Sequence, residues 1–319
     1  MTKLLITGSS GFVGSNVYDL FHQDFELYGL DISTNGRFPQ ERIFSWENLD
    51  RLPEVDAIIH LAGKAHDTSD TTEEAEYFEV NLGLTQKIVD HFLRSKAEKI
   101  IFFSSVKAVA DSVEGVLTEE AASEPKTAYG KSKLAAEEYL RENMEEWKDG
   151  RMEKNGKSVY ILRPCMIHGP GNKGNLNLLY KVVQKGIPWP LGAFDNQRSF
   201  ASISNVGYIV RRLIEEPIPS GIYQIADDEP LSTNELIRLT AKSLDRKAGI
   251  WNLPKGFIST LARLGDVLRL PLNSERLKKL TESYVVSNEK IKSVLKIENM
   301  PVSSSEGMME TLKSFSNKI

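Results

Sequence analysis

Tyr129 and Lys133 stand four residues apart in Ala-Tyr-Gly-Lys-Ser-Lys-Leu, a spacing with chemical content. In a helix, residues i and i+4 share a face, so a phenol and an ammonium can enter one pocket. A Tyr hydroxyl titrates near ~10, and a fixed positive charge beside it favours the phenolate. Tyr129 is therefore a candidate acid/base with Lys133 as its electrostatic partner; Lys131 falls off that face. The same spacing also arises by chance on solvated helices, so the pair gains meaning only from its surroundings.

The first of the elements that must position it is the amino terminus. Lys3 to Thr7 holds the apolar run Leu4-Leu5-Ile6, which reads as a strand buried on both faces. It breaks at Gly8-Ser9-Ser10-Gly11-Phe12-Val13-Gly14, after which Val17, Leu20 and Phe21 fall at helical spacing. Strand, glycine turn and helix in that order form the phosphate-binding opening of a dinucleotide fold. Gly8 permits the tight turn, Gly11 lets backbone N–H groups approach a pyrophosphate, and Gly14 lets the helix sit close on the strand. The next strand, Glu26 to Leu30, ends in Asp31. An acid there accepts hydrogen bonds from the adenosine ribose and repels a 2′-phosphate, which favours NAD over NADP. Arg37 is near enough to accommodate a 2′-phosphate, but reads more simply as a solvated loop residue.

Composition agrees with a soluble enzyme. The chain has 319 residues, 40% of them apolar, and a net charge of −4, enough for a large core that divides into a major and a minor lobe. Acids and bases are interspersed, so no basic stripe is offered to nucleic acid. No run of about 18 apolar residues spans a membrane, no leader resembles a signal peptide, and the single Cys165 fits a reducing cytoplasm. Five histidines show no metal spacing; no metal is expected.

Apolar runs alternate with helical patterns, which predicts a doubly wound α/β fold with a parallel sheet. Further strands are expected at residues 57 to 61, 99 to 103 and 158 to 162, with helices near 74 to 95 and 128 to 147. Ligands of such sheets bind beyond the carboxyl ends of the strands, and the polar clusters fall there. Ala62-Gly63 lets a ribose pass close to the backbone or simply makes a tight turn. Asn81 could hold a neighbouring loop or a buried water. In Ser104-Ser105, a hydroxyl can hydrogen-bond the substrate oxygen that Tyr129 protonates.

Together these residues resemble an extended short-chain dehydrogenase/reductase, in the branch of nucleotide-sugar epimerases and reductases typified by UDP-glucose 4-epimerases. The resemblance rests on Thr7 to Gly14, Asp31, His60-Leu61-Ala62-Gly63, Asn81, Ser104-Ser105, Tyr129 with Lys133, and Arg163-Pro164 leading into Gly169-Pro170-Gly171. It implies a Rossmann domain over residues 1–165, with the chain returning to it around 200–225, and a mainly substrate-binding lobe over 166–319. Ser105, Tyr129 and Lys133 are then catalytic, Lys133 also binding nicotinamide ribose and depressing the Tyr129 pKa. Gly8, Gly11, Phe12, Val13, Gly14, Asp31, Leu61, Ala62, Gly63, Asn81, Ser104, Tyr129, Lys133 and Pro164 hold NAD. Ser105, Asn172 and Arg198 meet the substrate, with Arg198 clamping its diphosphate. Arg276 is a weaker candidate that reads better as a solvated helix residue.

Two departures matter. Asn205 stands where the family usually has Asp. Val106 and Lys107 follow Ser105 where 4,6-dehydratases place an Asp-Glu pair, which argues against dehydration and for epimerisation or reduction at C4. The expected reaction is 4-epimerisation of a UDP-hexose or UDP-N-acetylhexosamine through a 4-keto intermediate. A 4-keto reductase using NAD(P)H needs the same residues, and a non-catalytic dinucleotide sensor is the reading from another class. The resemblance also suggests a homodimer through a helix bundle that includes the Tyr129 helix. The charged run Glu142 to Lys157 reads as a solvated helix end and loop. Residues 257 to 268 are amphipathic, which fits packing in the small lobe more simply than rest on a membrane surface.

Overall fold

The computed structural model describes residues 1–64, 73–144, 147–148, 151–154, 156–172, 174–268 and 273–316. The chain opens with β1 (Lys3–Thr7), α1 (Phe12–Phe21), β2 (Glu26–Asp31), β3 (Ile43–Ser45) and β4 (Ala57–His60). Next come α2 (Glu74–Arg94), β5 (Lys99–Phe103), β6 (Val116–Leu117) and α3 (Ala128–Asn143). A hairpin of β7 (Trp147–Lys148) and β8 (Arg151–Lys154) leads to β9 (Lys157–Pro164), β10 (Met166–His168), α4 (Asn175–Gln184), β11 (Phe200–Ser202), α5 (Ile203–Glu215) and β12 (Gly221–Ile225). The last third holds α6 (Thr233–Ser243), α7 (Lys255–Leu268), α8 (Ser274–Thr281), β13 (Val285–Val286), α9 (Glu289–Leu295) and α10 (Ser304–Ser316).

Seven strands pair in parallel in the order β3-β2-β1-β4-β5-β9-β12, and β8 lies antiparallel on the start of β9. Their apolar runs are continuous because both faces are covered. Leu4, Ile6, Ile59, Ile101, Tyr160 and Leu162 point to a core shared with Val17 and Phe21 of α1 and Val206, Ile209 and Leu213 of α5. Their neighbours Leu5, Ile58, Ile100, Phe102, Val159 and Ile161 point to a second core with Ile88, Val89 and Phe92 of α2 and Ala136 and Leu140 of α3. This period of two is what a pleated strand imposes. Strand order turns back at β1 and β4, the switch point where such sheets bind ligands.

The remaining helices form a second layer with its own apolar contacts. Val183, Trp189, Leu191, Ile237, Ala241, Ile258, Ala262 and Leu277 make one cluster, and Leu176, Tyr180, Phe200, Leu231, Leu236, Met308 and Leu312 another. Ser232 and Glu235 close a capping box on α6, the reciprocal bonding that satisfies two backbone donors at a helix start. Val286, Ile291, Leu295 and Met300 join the core of the sheet, and β13 pairs with β6. The chain thus returns to the large body twice. The division near residue 165 remains a proposal.

The expected strands and helices are present, but α3 ends at Asn143, short of the expected 147, and Trp147–Lys148 and Arg151–Lys154 of the charged run pair as strands where a loop is expected. Residues 145, 146, 149, 150 and 155 of the charged run lie outside the described residues. No described helix is long and apolar enough to cross a membrane. Among the described residues, α2 and α3 carry none of the exposed large hydrophobic side chains, so a dimer through these helices has no such apolar stripe behind it.

Candidate active site

The glycine turn between β1 and α1 is shaped by contacts that exclude side chains. Gly8 has φ +67°, and a Cβ there would lie 2.7 Å from the Ala62 nitrogen. At Gly14 a Cβ would lie 2.4 Å from the Gly8 oxygen, so only glycine lets α1 approach. Phe12 and Val13 form the first turn of α1, whose N-cap Gly11 brings no capping side chain and which has no acidic residue in its first turn. The unpaired N–H groups and positive dipole end of this helix suit an anion.

At the end of β2, Asp31 accepts from Ser10 N at 2.8 Å, Ser10 Oγ at 2.7 Å and Ile32 N at 2.7 Å. It therefore fastens the glycine turn. Arg37 is exposed and pairs with Asp19 at 3.2 Å, as its reading as a solvated residue expects.

Beyond β4, Leu61 N donates to Thr7 O, while Ala62 N donates to Thr7 Oγ1 at 3.0 Å. The proton order beneath this turn is fixed by its acceptors. Thr85 Oγ1 donates to Asn81 O at 2.6 Å, so it accepts from His60 Nε2 at 3.0 Å. Thr7 then donates to His60 Nδ1 at 2.6 Å. His60 is neutral: burial, with Lys133 nearby, lowers its pKa to about 3.

Asn81 does the holding that its sequence position suggests, on protein partners. Its Oδ1 accepts from Lys64 N at 2.7 Å, and its Nδ2 donates to Ser132 Oγ at 2.9 Å. Ser132 in turn donates to Tyr129 O at 2.8 Å. One buried amide thus ties the loop after β4 to the helix that carries Tyr129. A Cβ on Gly63 would lie 2.8 Å from Asn81 Oδ1 and 3.0 Å from Lys133 Nζ, so this glycine leaves room for both side chains against the backbone.

Ser105, Tyr129 and Lys133 converge at the ends of β5 and α3. Thr127 caps α3 by accepting from Gly130 N, and Gly130 packs so close that a Cβ would sit 2.4 Å from Lys107 O. Tyr129 shares a hydrogen bond with Ser105. Lys133 Nζ donates to Phe103 O at 2.9 Å and lies 5.1 Å from the Phe102 ring centroid. Burial lowers Lys133 to about 8, against the pull of Glu137.

Burial raises Tyr129, the Ser105 bond partly opposes it, and Tyr77 adds to the rise. The lowering of Tyr129 by Lys133 that the sequence suggests is therefore not found in the protein alone. The ammonium is turned onto the Phe103 carbonyl, and desolvation of the phenol dominates.

Ser104, expected on the cofactor, also has a protein partner. Its hydroxyl bonds the Glu137 carboxylate, which Arg163 grips through Nε at 3.0 Å and Nη2 at 2.6 Å. Glu137 and Arg163 were not singled out as a pair from sequence. The signal existed: Glu137 is the next helical repeat after Tyr129 and Lys133 on one face. Their buried pair anchors the underside of α3 to β9, at whose end Pro164 lies.

On the substrate side the placement is looser. Asn172 closes the turn after β10 through its N–H to Gly169 O at 3.1 Å. Arg198 donates from Nε to Glu282 O at 3.0 Å and from Nη2 to Lys279 O. Its fork thus sits on the carboxyl end of α8, with other guanidinium donors outside these two bonds. Arg276 is exposed in the first turn of α8.

Asn205 does what an Asp could not: its amide donates to Asp227 Oδ1 and Val302 O, each at 2.7 Å. A carboxylate there would face that of Asp227. Lys107 donates to Asp111 O at 2.7 Å and stacks 4.1 Å from the Tyr284 ring centroid. Cys165 is buried and its thiol is raised well above the usual range, which makes it inert.

The profile of the NAD dependent epimerase/dehydratase family matches residues 4–226, the span from β1 to the end of β12. The chain belongs to this family. It is an NAD-dependent enzyme, and the uncapped α1, the Asp31 carboxylate and the glycine cradle fit that cofactor. Over 283 residues it is 31% identical to a UDP-glucose 4-epimerase of Vibrio cholerae, covering 79% of this chain and 78% of that one. Over 259 residues it is 29% identical to an N-acetyl-alpha-D-glucosaminyl-diphospho-ditrans,octacis-undecaprenol 4-epimerase of Escherichia coli O157:H7, covering 79% and 75%. The solved structure of a Thermus thermophilus UDP-glucose 4-epimerase with NAD superposes with a TM-score of 0.74 at 20% identity over the full length of both chains. That last likeness concerns the fold.

Proposed function

We propose that this enzyme is a nucleotide-sugar 4-epimerase acting on a UDP-hexose or UDP-N-acetylhexosamine through a 4-keto intermediate. The observation that carries the reading is the Ser105–Tyr129 hydrogen bond with the Lys133 ammonium buried beside it. NAD supplies the hydride acceptor at C4 when bound. Its pyrophosphate would be held at the N-terminus of α1, its adenosine ribose by Asp31 and its nicotinamide ribose by Lys133, with Gly63 leaving room beside it.

Tyr129, in its phenolate form, takes the proton of the sugar 4-hydroxyl as hydride leaves C4, and Ser105 hydrogen-bonds the same oxygen. A 4-keto sugar results. Returned hydride on its other face, with the proton given back by Tyr129, inverts the centre. Val106 and Lys107 after Ser105 supply no acid and base for loss of water. The Vibrio relative, a UDP-glucose 4-epimerase, supports this direction. Arg198 and Asn172 are proposed to meet the diphosphate.

The test is to incubate the purified enzyme with UDP- and dTDP-sugars, with and without added NADH or NADPH, following products by NMR. Interconversion without added cofactor is expected, falling by about 10²- to 10⁴-fold in Tyr129→Phe. Product formed only from a 4-keto sugar with reduced cofactor would establish the reductase and overturn the reading.

A further inference from the structure

Helix α7 is apolar on two faces, of which the fold uses one. Ile258, Ala262 and Gly265 are buried, and the first two pack in the small-lobe cluster with Trp189 and Leu277. On the adjacent stripe, at i, i+4, i+7 and i+11, Phe257 is 55% exposed, Leu261 40%, Leu264 49% and Leu268 62%, and beside them Val267 is 80% exposed. Packing explains the first stripe and leaves the second unaccounted for. Trp251, ahead of the helix, is 56% exposed, and Leu280 of the neighbouring α8 37%. A row of exposed bulky apolar side chains along one helix face marks an interaction site.

The charge around it selects the partner. From residue 238 to 281 the sequence holds ten Lys or Arg and three Asp or Glu, in a chain whose net charge is −4. Lys255 and Arg263 of α7 and Lys278 and Lys279 of α8 are exposed, Lys255 lying over the Phe194 ring and Lys279 paired with Glu275. Arg238, Lys242, Arg246 and Lys247 line an open depression on the same lobe. A stripe of bulky apolar residues set in cations is the pattern that rests in the interface of a bilayer with acidic headgroups.

We propose that the small lobe docks peripherally on an anionic bilayer, the exposed stripe of α7 entering the headgroup region and the surrounding cations pairing with lipid phosphates. This goes beyond the epimerase reading and does not depend on it. Docking also bears on the site, because α8 packs on α7 and its carboxyl end holds Arg198.

The test is co-sedimentation of the intact chain with vesicles of phosphatidylglycerol and phosphatidylcholine, against phosphatidylcholine alone. Binding to the anionic vesicles is expected, weakened several-fold by 0.5 M salt and at least tenfold in Phe257→Glu with Leu264→Glu, with sugar-nucleotide turnover unchanged. Should that variant misfold, Lys255→Glu with Arg263→Glu, which leaves the stripe intact, is expected to lose the preference for anionic vesicles. The proposal is overturned if the native chain stays in the supernatant at low salt or binds neutral vesicles equally. It is also overturned if the stripe variants convert a dimer to a monomer in sedimentation velocity, which would make a second copy the occupant.

Discussion

Lys133 is the buried cation on the Tyr129 face of α3. In the protein alone its ammonium rests on Phe103 O, burial holds it at about 8 against an ordinary 10.5, and burial also raises Tyr129. Between these two Lys values the unfolded chain binds a proton that the folded chain does not, so stability rises with pH across that window. Relative to Lys133→Met, the native enzyme should therefore gain up to about 1.4 kcal/mol per pH unit from about pH 8 to 10. Urea unfolding of both proteins at pH 7, 8, 9 and 10 measures it, and parallel curves would refute the buried charge. The shared face of Tyr129 and Lys133 was legible in their spacing. The direction of Nζ was not, because it depends on a carbonyl thirty residues away.

The connections between elements are carried by side chains that do no chemistry themselves. Asn81 joins the loop after β4 to Ser132 on α3, and Glu137 with Arg163 joins α3 to β9. In Asn81→Ala, Lys64 N loses its acceptor and Ser132 a partner. Leaving such groups unpaired costs about 1–3 kcal/mol. We expect that loss in urea unfolding, together with a fall in kcat of about tenfold from a displaced Tyr129 while KM for the sugar changes less. An unchanged kcat would separate Asn81 from the positioning of Tyr129. The strands and helices were legible because a doubly covered sheet demands continuous apolar runs. The bonds between them were not, because each joins residues far apart in sequence.

At the scale of the whole molecule, Arg198 joins segments far apart in the chain. Its fork rests on the carboxyl end of α8, and its backbone bridges to Leu231 and Tyr284. Arg198→Lys keeps the charge and loses the fork. It should lower the thermal midpoint by a few degrees, as expected for a loss of about 1–2 kcal/mol in a chain of this size, and raise KM for the sugar nucleotide about tenfold. An unchanged midpoint would show that α8 does not depend on this residue; an unchanged KM would remove Arg198 from the diphosphate site. The sequence by itself determined the βαβ order, the glycine turn, Asp31 and the Ser105, Tyr129 and Lys133 set, since each is a local pattern with a local physical cause. Only the tertiary structure decided that Ser104 serves Glu137, that Arg198 caps α8, and that one stripe of α7 is buried while the next faces solvent. Those outcomes depend on what burial removes from water and on which distant carbonyl or carboxylate comes within hydrogen-bonding reach, and neither is written in the spacing of residues along the chain.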